Sequence, residues 1–156
     1  MDADKLFQEF LSLQNQIDGF YHELAVRMGL SSSAFQILWS IVELGENCTQ
    51  RDVCQQFYIS KQTVHSAVRK LEQDGILVIA PKSGRQASLS LTDKGRELVR
   101  ERVVPAMEAE RAAARGMRLE ELQAMLQLTE KWFRLFREAA ASIPGNRQDT
   151  GVPGGS

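Results

Sequence analysis

Gln62, His65, Ser66 and Arg69 fall close together in the stretch Ser60 to Gly75, SKQTVHSAVRKLEQDG. Wound as a helix, these four side chains share one face, offering amide, imidazole, hydroxyl and guanidinium groups with no carboxylate before Glu72. Such groups suit base edges: Arg reaches guanine, Gln reaches adenine, and Ser serves either. The opposite face carries Val64, Ala67, Val68 and Leu71 at the i, i+3, i+4, i+7 spacing of a core-packed stripe. Ser60 is a good N-cap with Thr63 three residues on, and Ile59 and Val64 flank the cap as a hydrophobic staple. An ordinary solvated helix face is the competing reading, so the neighbouring segments must decide.

Upstream, Asp4 to about Arg27 reads as one long helix. Leu6, Phe10, Leu13, Ile17, Phe20 and Leu24 form a heptad seam that something must cover. Gly29 ends it, and Ser31 to Ser33 offer caps for a helix from Ala34 to Leu44. That second helix is apolar around most of its circumference (Phe35, Ile37, Leu38, Trp39, Ile41, Val42) and must be central. Gly45 stops it. Thr49-Gln-Arg-Asp52 then starts a short helix reaching Phe57 in the manner of a capping box. A short helix, a tight turn at Tyr58 and Ile59, and a second helix make a helix-turn-helix.

Downstream, Ile76 to Ile79 is a β-branched run and Ser88 to Leu91 alternates with period two, around a polar turn from Pro81 to Gln86. A hairpin after a helix-turn-helix is a wing, here carrying Lys82 and Arg85 at its turn. Thr92 caps the next helix, which Pro105 should kink or interrupt and which Gly116 ends. A last helix, from Leu119 to about Ala141, carries two apolar seams: Leu119, Leu122, Leu126, Phe133 and Phe136 on one, Met125, Leu128, Trp132 and Leu135 on the other. Two seams bury two sides, so the first and last helices are expected to pack on those of a second copy. From Ser142 the chain is too poor in apolar residues to fold and is expected to be a disordered tail.

The 156 residues, 43% hydrophobic and 25% charged, have the composition of an ordinary globular protein. The net charge of −1 conceals a segregation: residues 1–44 carry net −4, residues 45–102 carry ten basic against seven acidic residues, and the remainder balances. The basic part is the part that contains the reading helix. Cys48 and Cys54 match neither a zinc knuckle nor a redox pair and read as small core residues, Cys48 as a staple against Val53. With only His22 and His65 besides, no metal set is visible and no cofactor is called for. No apolar run is long enough to span a membrane and no basic-then-apolar leader begins the chain, so a cytoplasmic protein is expected. A P-loop, GxSxG, HExxH and a dinucleotide glycine pattern are all missing, so an enzyme is not expected.

The order and spacing of these segments resemble the MarR family of bacterial winged helix-turn-helix regulators. SKQTVHSAVRKLEQDGIL is similar to that family's recognition helix leading into the first wing strand, and LSLTDKGREL to its exit from the wing. The likeness covers residues 5 to 141. It implies a mainly α fold with a small β-hairpin wing, the winged helix-turn-helix flanked by N- and C-terminal dimerisation helices. Residues 1–30 would be the N-terminal dimerisation helix, 31–102 the DNA-binding domain, 103–141 the C-terminal dimerisation helices and 142–156 the tail.

The function so implied is a homodimeric, sequence-specific transcriptional regulator on double-stranded DNA with an inverted-repeat operator, acting as a repressor relieved by a small, often aromatic molecule. Gln62, Thr63, His65, Ser66 and Arg69 take the recognition-helix positions. Gln62, Ser66 and Arg69 point most directly outward for base edges, while Ser60, Lys61 and Thr63 suit phosphates. His65 admits a pH-switch reading beside the plainer one of a neutral hydrogen-bonding side chain. Arg85 falls where the family places a minor-groove wing arginine, with Lys82 and Gln86 on backbone; Ser83 stands where an aspartate often accompanies that arginine. Phe20, Tyr21, Trp39 and Trp132 are aromatics able to line an effector pocket or simply to fill the core. The rival function is a winged-helix module that binds protein, whose face should show exposed aromatics or leucines.

Overall fold

In the computed structural model, residues 2–81 and 87–144 are described. The turn residues Lys82 to Gln86, and the tail from residue 145 onward, lie outside the described residues. The elements run α1 (Ala3–Arg27), α2 (Ser32–Leu44), α3 (Gln50–Phe57), α4 (Lys61–Gln73), β1 (Leu77–Pro81), β2 (Ala87–Leu91), α5 (Asp93–Leu98), a π-helical turn (Val99–Val103), α6 (Val104–Arg115) and α7 (Leu119–Ala140). They form two compact units, Met1–Arg111 and Ala112–Ser156. The fold is the mainly α winged-helix architecture expected, with a two-stranded antiparallel sheet.

In the first unit α2 is the central element, packed against α1, α3, α4 and the π-helical turn. Phe35, Ile37, Leu38, Trp39 and Ile41 on α2 are all buried, as the nearly all-round apolar pattern requires. Val53 of α3, Val64, Val68 and Leu71 of α4, Leu77, Leu89 and Leu91 of the hairpin, and Val99, Val103 and Met107 complete one core. Fully burying side chains of this size contributes about 1.5–3 kcal/mol each, which fixes α4 in rotation about its axis.

Caps set the boundaries. Ser31 Oγ accepts from the Ala34 N–H (3.1 Å), and Ser60 Oγ accepts from the Thr63 N–H (3.1 Å). Thr49 and Asp52 form a reciprocal capping box: the Asp52 N–H donates to Thr49 Oγ1 and the Thr49 N–H donates to the Asp52 carboxylate. Cys48 is buried beside this cap and Cys54 is half-buried on α3. Ile76 falls just outside β1, because its N–H still donates to the Leu71 carbonyl (2.9 Å) and closes the end of α4.

The sheet pairs Leu77 with Leu91, Ile79 with Leu89 and Pro81 with Ala87. The segment before α3 adds to it: the Leu89 N–H donates to the Cys48 carbonyl (2.8 Å), the Asn47 N–H donates to the Leu89 carbonyl (3.1 Å), and Thr49 bridges Ser88. The hairpin is thereby tied to the start of the helix-turn-helix. Near Pro105 the helix departs from α geometry, but on the N-terminal side of the proline, where Val99–Val103 forms the π-helical turn. Proline has no N–H to donate into the preceding turn, and the widened turn keeps both Val99 and Val103 in the core. From the same turn Arg102 donates to the Met28 carbonyl (2.8 Å), satisfying the end of α1.

In the second unit α7 has no buried residue; Leu128 is 66% exposed and Phe136 is 55% exposed. The α1 seam is likewise open, with Leu13 54% exposed. Among the described residues no helix is long and apolar enough to cross a membrane.

Candidate nucleic-acid interface

Burial of Val64, Val68 and Leu71 turns Lys61, Gln62, Thr63, His65, Ser66 and Arg69 to the surface, all of them exposed. Ser60 is exposed too, and its hydroxyl lies 2.8 Å from that of Thr63. The first turn of α4 contains no acidic side chain, so the positive end of the helix dipole is left available to an anion. Arg69 is not idle in the free protein: its Nη1 donates to Glu72 Oε2 at 3.1 Å, and both groups are solvent-accessible. An exposed helix pair of this kind is worth only a few tenths of a kcal/mol, against about 1–3 kcal/mol for a bidentate contact to guanine. Glu72 can therefore hold the guanidinium over the face and release it to a stronger acceptor.

The same surface holds groups outside the reading made from sequence. Ser31 and Ser33, at the start of α2, flank a shallow groove with Gln62, Thr63 and Ser66. Gln50 and Arg51 on α3 share a second groove with Cys54, Lys61, Gln62 and His65. Burial holds the Cys54 thiol above its ordinary pKa, partly opposed by the Lys61 charge. Tyr58, in the left-handed region at φ 52°, stands 94% exposed in the turn between α3 and α4. The signal for Arg51 was available, since Val53 points inward and a side chain two residues away on a helix points elsewhere. Lys82, Arg85 and Gln86, assigned to the wing contact, lie outside the described residues, as does Ser83.

The exit from the wing locks this helix from behind. The Thr92 hydroxyl donates to the Gly75 carbonyl (2.6 Å), the Thr92 N–H donates to the Ile76 carbonyl (3.0 Å), and the Gly95 N–H donates to Thr92 Oγ1 (3.0 Å). Lys94 Nζ donates to the Asp74 carbonyl (2.8 Å). One short motif thus holds the C-terminal end of α4, the base of the hairpin and the start of α5.

A cavity of about 690 Å³ opens among α1, α2, α3 and α6 within the first unit. Tyr21, Phe35, Trp39 and Phe57 supply its aromatic lining and Asp18, Glu43 and Glu110 its carboxylates, with His22, Ser32, Gln36 and Gln56 between them. Trp39 meets Phe35 edge-on at 5.4 Å and Tyr21 edge-on at 6.2 Å. The Tyr21 hydroxyl donates to Glu110, and burial, followed by that bond and the Glu110 charge, pushes its pKa up to about 12. Of the aromatics singled out from sequence, Tyr21 and Trp39 line this cavity. Phe20 sits on the exposed stripe of α1, and Trp132 stacks on Phe136 within α7. Among the described residues no cluster of His, Cys, Asp or Glu is disposed to hold a metal ion.

Residues 23–86 match the family model described as MarR family. No curated protein matches the sequence. Among solved structures the chain is similar to a MarR family regulator from Neisseria meningitidis, at 16% identity over 92% of this chain and 100% of that one, with a TM-score of 0.75. It is similar to Staphylococcus aureus MarR in complex with salicylate and kanamycin, at 14% identity over 87% of this chain and 93% of that one, with a TM-score of 0.62. Bordetella bronchiseptica BpsR, whose DNA binding is regulated by 6-hydroxynicotinic acid, shares 22% identity over 80% of this chain and 98% of that one, with a TM-score of 0.59. The resemblance is borne out by the matched segment, which contains SKQTVHSAVRKLEQDGIL, and by the fold; LSLTDKGREL lies beyond that segment.

Proposed function

We propose, from a chain whose residues 23–86 match the MarR family model and whose fold is that of MarR regulators, a dimeric cytoplasmic regulator that binds an inverted-repeat operator in double-stranded DNA. It acts as a repressor, and a small molecule in the cavity beside Tyr21 and Trp39 relieves it. The observation that carries this reading is the outer face of α4. Its core side is fully committed to Val64, Val68 and Leu71, and its solvent side presents Gln62, His65, Ser66 and Arg69 with no acidic group before Glu72.

Pairing follows from the open apolar stripes. Leu6, Leu13, Ile17 and Phe20 on α1, and Leu126, Leu128, Phe133 and Phe136 on α7, are large apolar groups left in water by a single chain. A second copy covering them makes a two-fold dimer, which sets two α4 helices about 34–36 Å apart in successive major grooves. Gln62, Ser66 and Arg69 then read bases while Ser60, Lys61 and Thr63 hold phosphates. The effector role is supported by the ligands named with the staphylococcal and Bordetella proteins. A ligand shifts such a dimer only by binding the DNA-incompetent spacing of its two reading helices more tightly than the competent one.

The test is fluorescence anisotropy with DNA from upstream of the protein's own gene and with random duplex, across several salt concentrations. Salt-dependent binding that favours the upstream DNA by a factor of about 1000 supports a specific regulator. Weak binding without preference favours the second reading, a protein-docking winged helix, for which the fully exposed Tyr58 speaks.

A further inference from the structure

The cavity of the first unit has a charge that restricts what it can hold. Asp18, Glu43 and Glu110 all face it, and no Lys or Arg lines it. Among the described residues none of the three carboxylates forms an ion pair: Glu110 accepts from the Tyr21 hydroxyl and Glu43 accepts from Gln56 Nε2 (2.5 Å), both neutral donors. An anionic guest such as an aromatic carboxylate would meet three like charges, with His22 as the one titratable base on the lining.

We infer that this cavity binds an amphipathic cation, an aromatic or aliphatic body carrying a protonated amine, and discriminates against aromatic carboxylates. The inference rests on the effector reading given above and specifies the ligand's chemistry. Three further features point the same way. Trp39, Tyr21 and Phe35 form a contiguous aromatic wall, and the negative faces of such rings attract an ammonium group as well as a hydrocarbon body. Gln56 lines the cavity and its buried Oε1 has no hydrogen-bond partner, an acceptor that a turn of the side chain would present to an N–H donor. The volume of about 690 Å³ is that of a drug-sized ligand site. The raised Tyr21 pKa reports the same surroundings, since burial and the Glu110 charge both oppose a further negative charge there.

The experiment is isothermal titration of the full chain with three probes that share one aromatic body: 2-naphthylmethylammonium, neutral 2-naphthylmethanol and anionic 2-naphthoate. The expected order is ammonium tightest by about tenfold over the alcohol, with naphthoate weakest, since one carboxylate–ammonium contact at a partly solvated site supplies roughly that factor. Asp18→Asn and Glu110→Gln should each weaken the ammonium several-fold more than they weaken the alcohol, so the ratio of the two affinities separates lost charge from a disturbed cavity. Naphthoate binding as tightly as the ammonium, or carboxamide variants that leave the ammonium affinity untouched, would overturn the inference. DNA anisotropy at saturating ammonium is read separately. An unchanged DNA affinity counts against the effector reading, and the charge preference of the cavity is decided by the titrations alone.

Discussion

Gly95 lies against the carbonyl of Ile76 so closely that a Cβ on it would stand 1.9 Å from that oxygen. No side chain fits, and the obstacle is backbone that Thr92 and β1 hold in place. The helix after the wing can therefore nest on the end of α4 only because position 95 is glycine. Gly95→Ala should destabilise the chain by about 1–3 kcal/mol or more, read as a lower urea midpoint at unchanged slope. A variant as stable as the parent would show that the nesting is not rigid.

Thr92 is the companion test. Its hydroxyl both caps α5 and ties down the Gly75 carbonyl. Thr92→Val keeps the shape and removes the hydroxyl, and should cost about 1–2 kcal/mol, with Thr92→Ser recovering most of the loss.

On DNA, Arg69→Ala should cost about 1–3 kcal/mol and relax specificity at one base pair per half-site. Lys61→Ala should instead weaken binding evenly across sequences and reduce the salt slope by about 1. Equal losses on specific and random DNA for both variants would misplace the reading face. Glu72→Gln releases Arg69 from its partner 3.1 Å away and should tighten specific binding on the order of twofold, the scale of an exposed helix pair.

Leu13→Asp on α1 and Leu128→Asp on α7 each place a charge on a stripe proposed to meet a second copy. Light scattering should give a dimer for the parent and a monomer for the variants at micromolar concentration, with the helical signal of the winged helix retained. A parent that is monomeric at all concentrations would end the dimer proposal.

Tyr21 provides a pH signature. Its folded pKa of about 12 lies above the ordinary tyrosine value of 10.0, so between those limits the unfolded chain loses a proton that the folded chain keeps. The stabilisation is complete below pH 10 and is lost as the pH rises towards 12. Phenolate absorbance should show one tyrosine titrating late, and Tyr21→Phe should remove that step.

Much of this fold was legible because its boundaries are local. Ser31, Thr49 with Asp52, Ser60 and Thr92 each satisfy amides within three residues, and such contacts can be read from spacing. The π-helical turn was not. Pro105 announced a disturbance, but its placement at Val99–Val103 depends on packing two valines into a core built by other elements. The close approach at Gly95 was hidden for the same reason: its partner lies nineteen residues upstream and meets it only after the hairpin has formed. At the reading face, exposure followed from helical periodicity. The Arg69–Glu72 pair follows from i, i+3 spacing and could have been anticipated. The cavity gathers residues from four helices, so composition revealed its aromatics but not its unbalanced carboxylates.

The base of the hairpin is bonded on both sides: to Asn47 and Cys48 ahead of the helix-turn-helix, and through Thr92 to the end of α4. Segments cross-tied in this way open together or not at all. The amides of Leu89, Ile76 and Thr92 should then exchange with solvent at one common rate, that of global unfolding. Helix α4 accordingly has no folding life of its own: a fragment that ends before Thr92 loses the strap that closes it, and the proposed reading face and the wing stand or fall as a single cooperative unit.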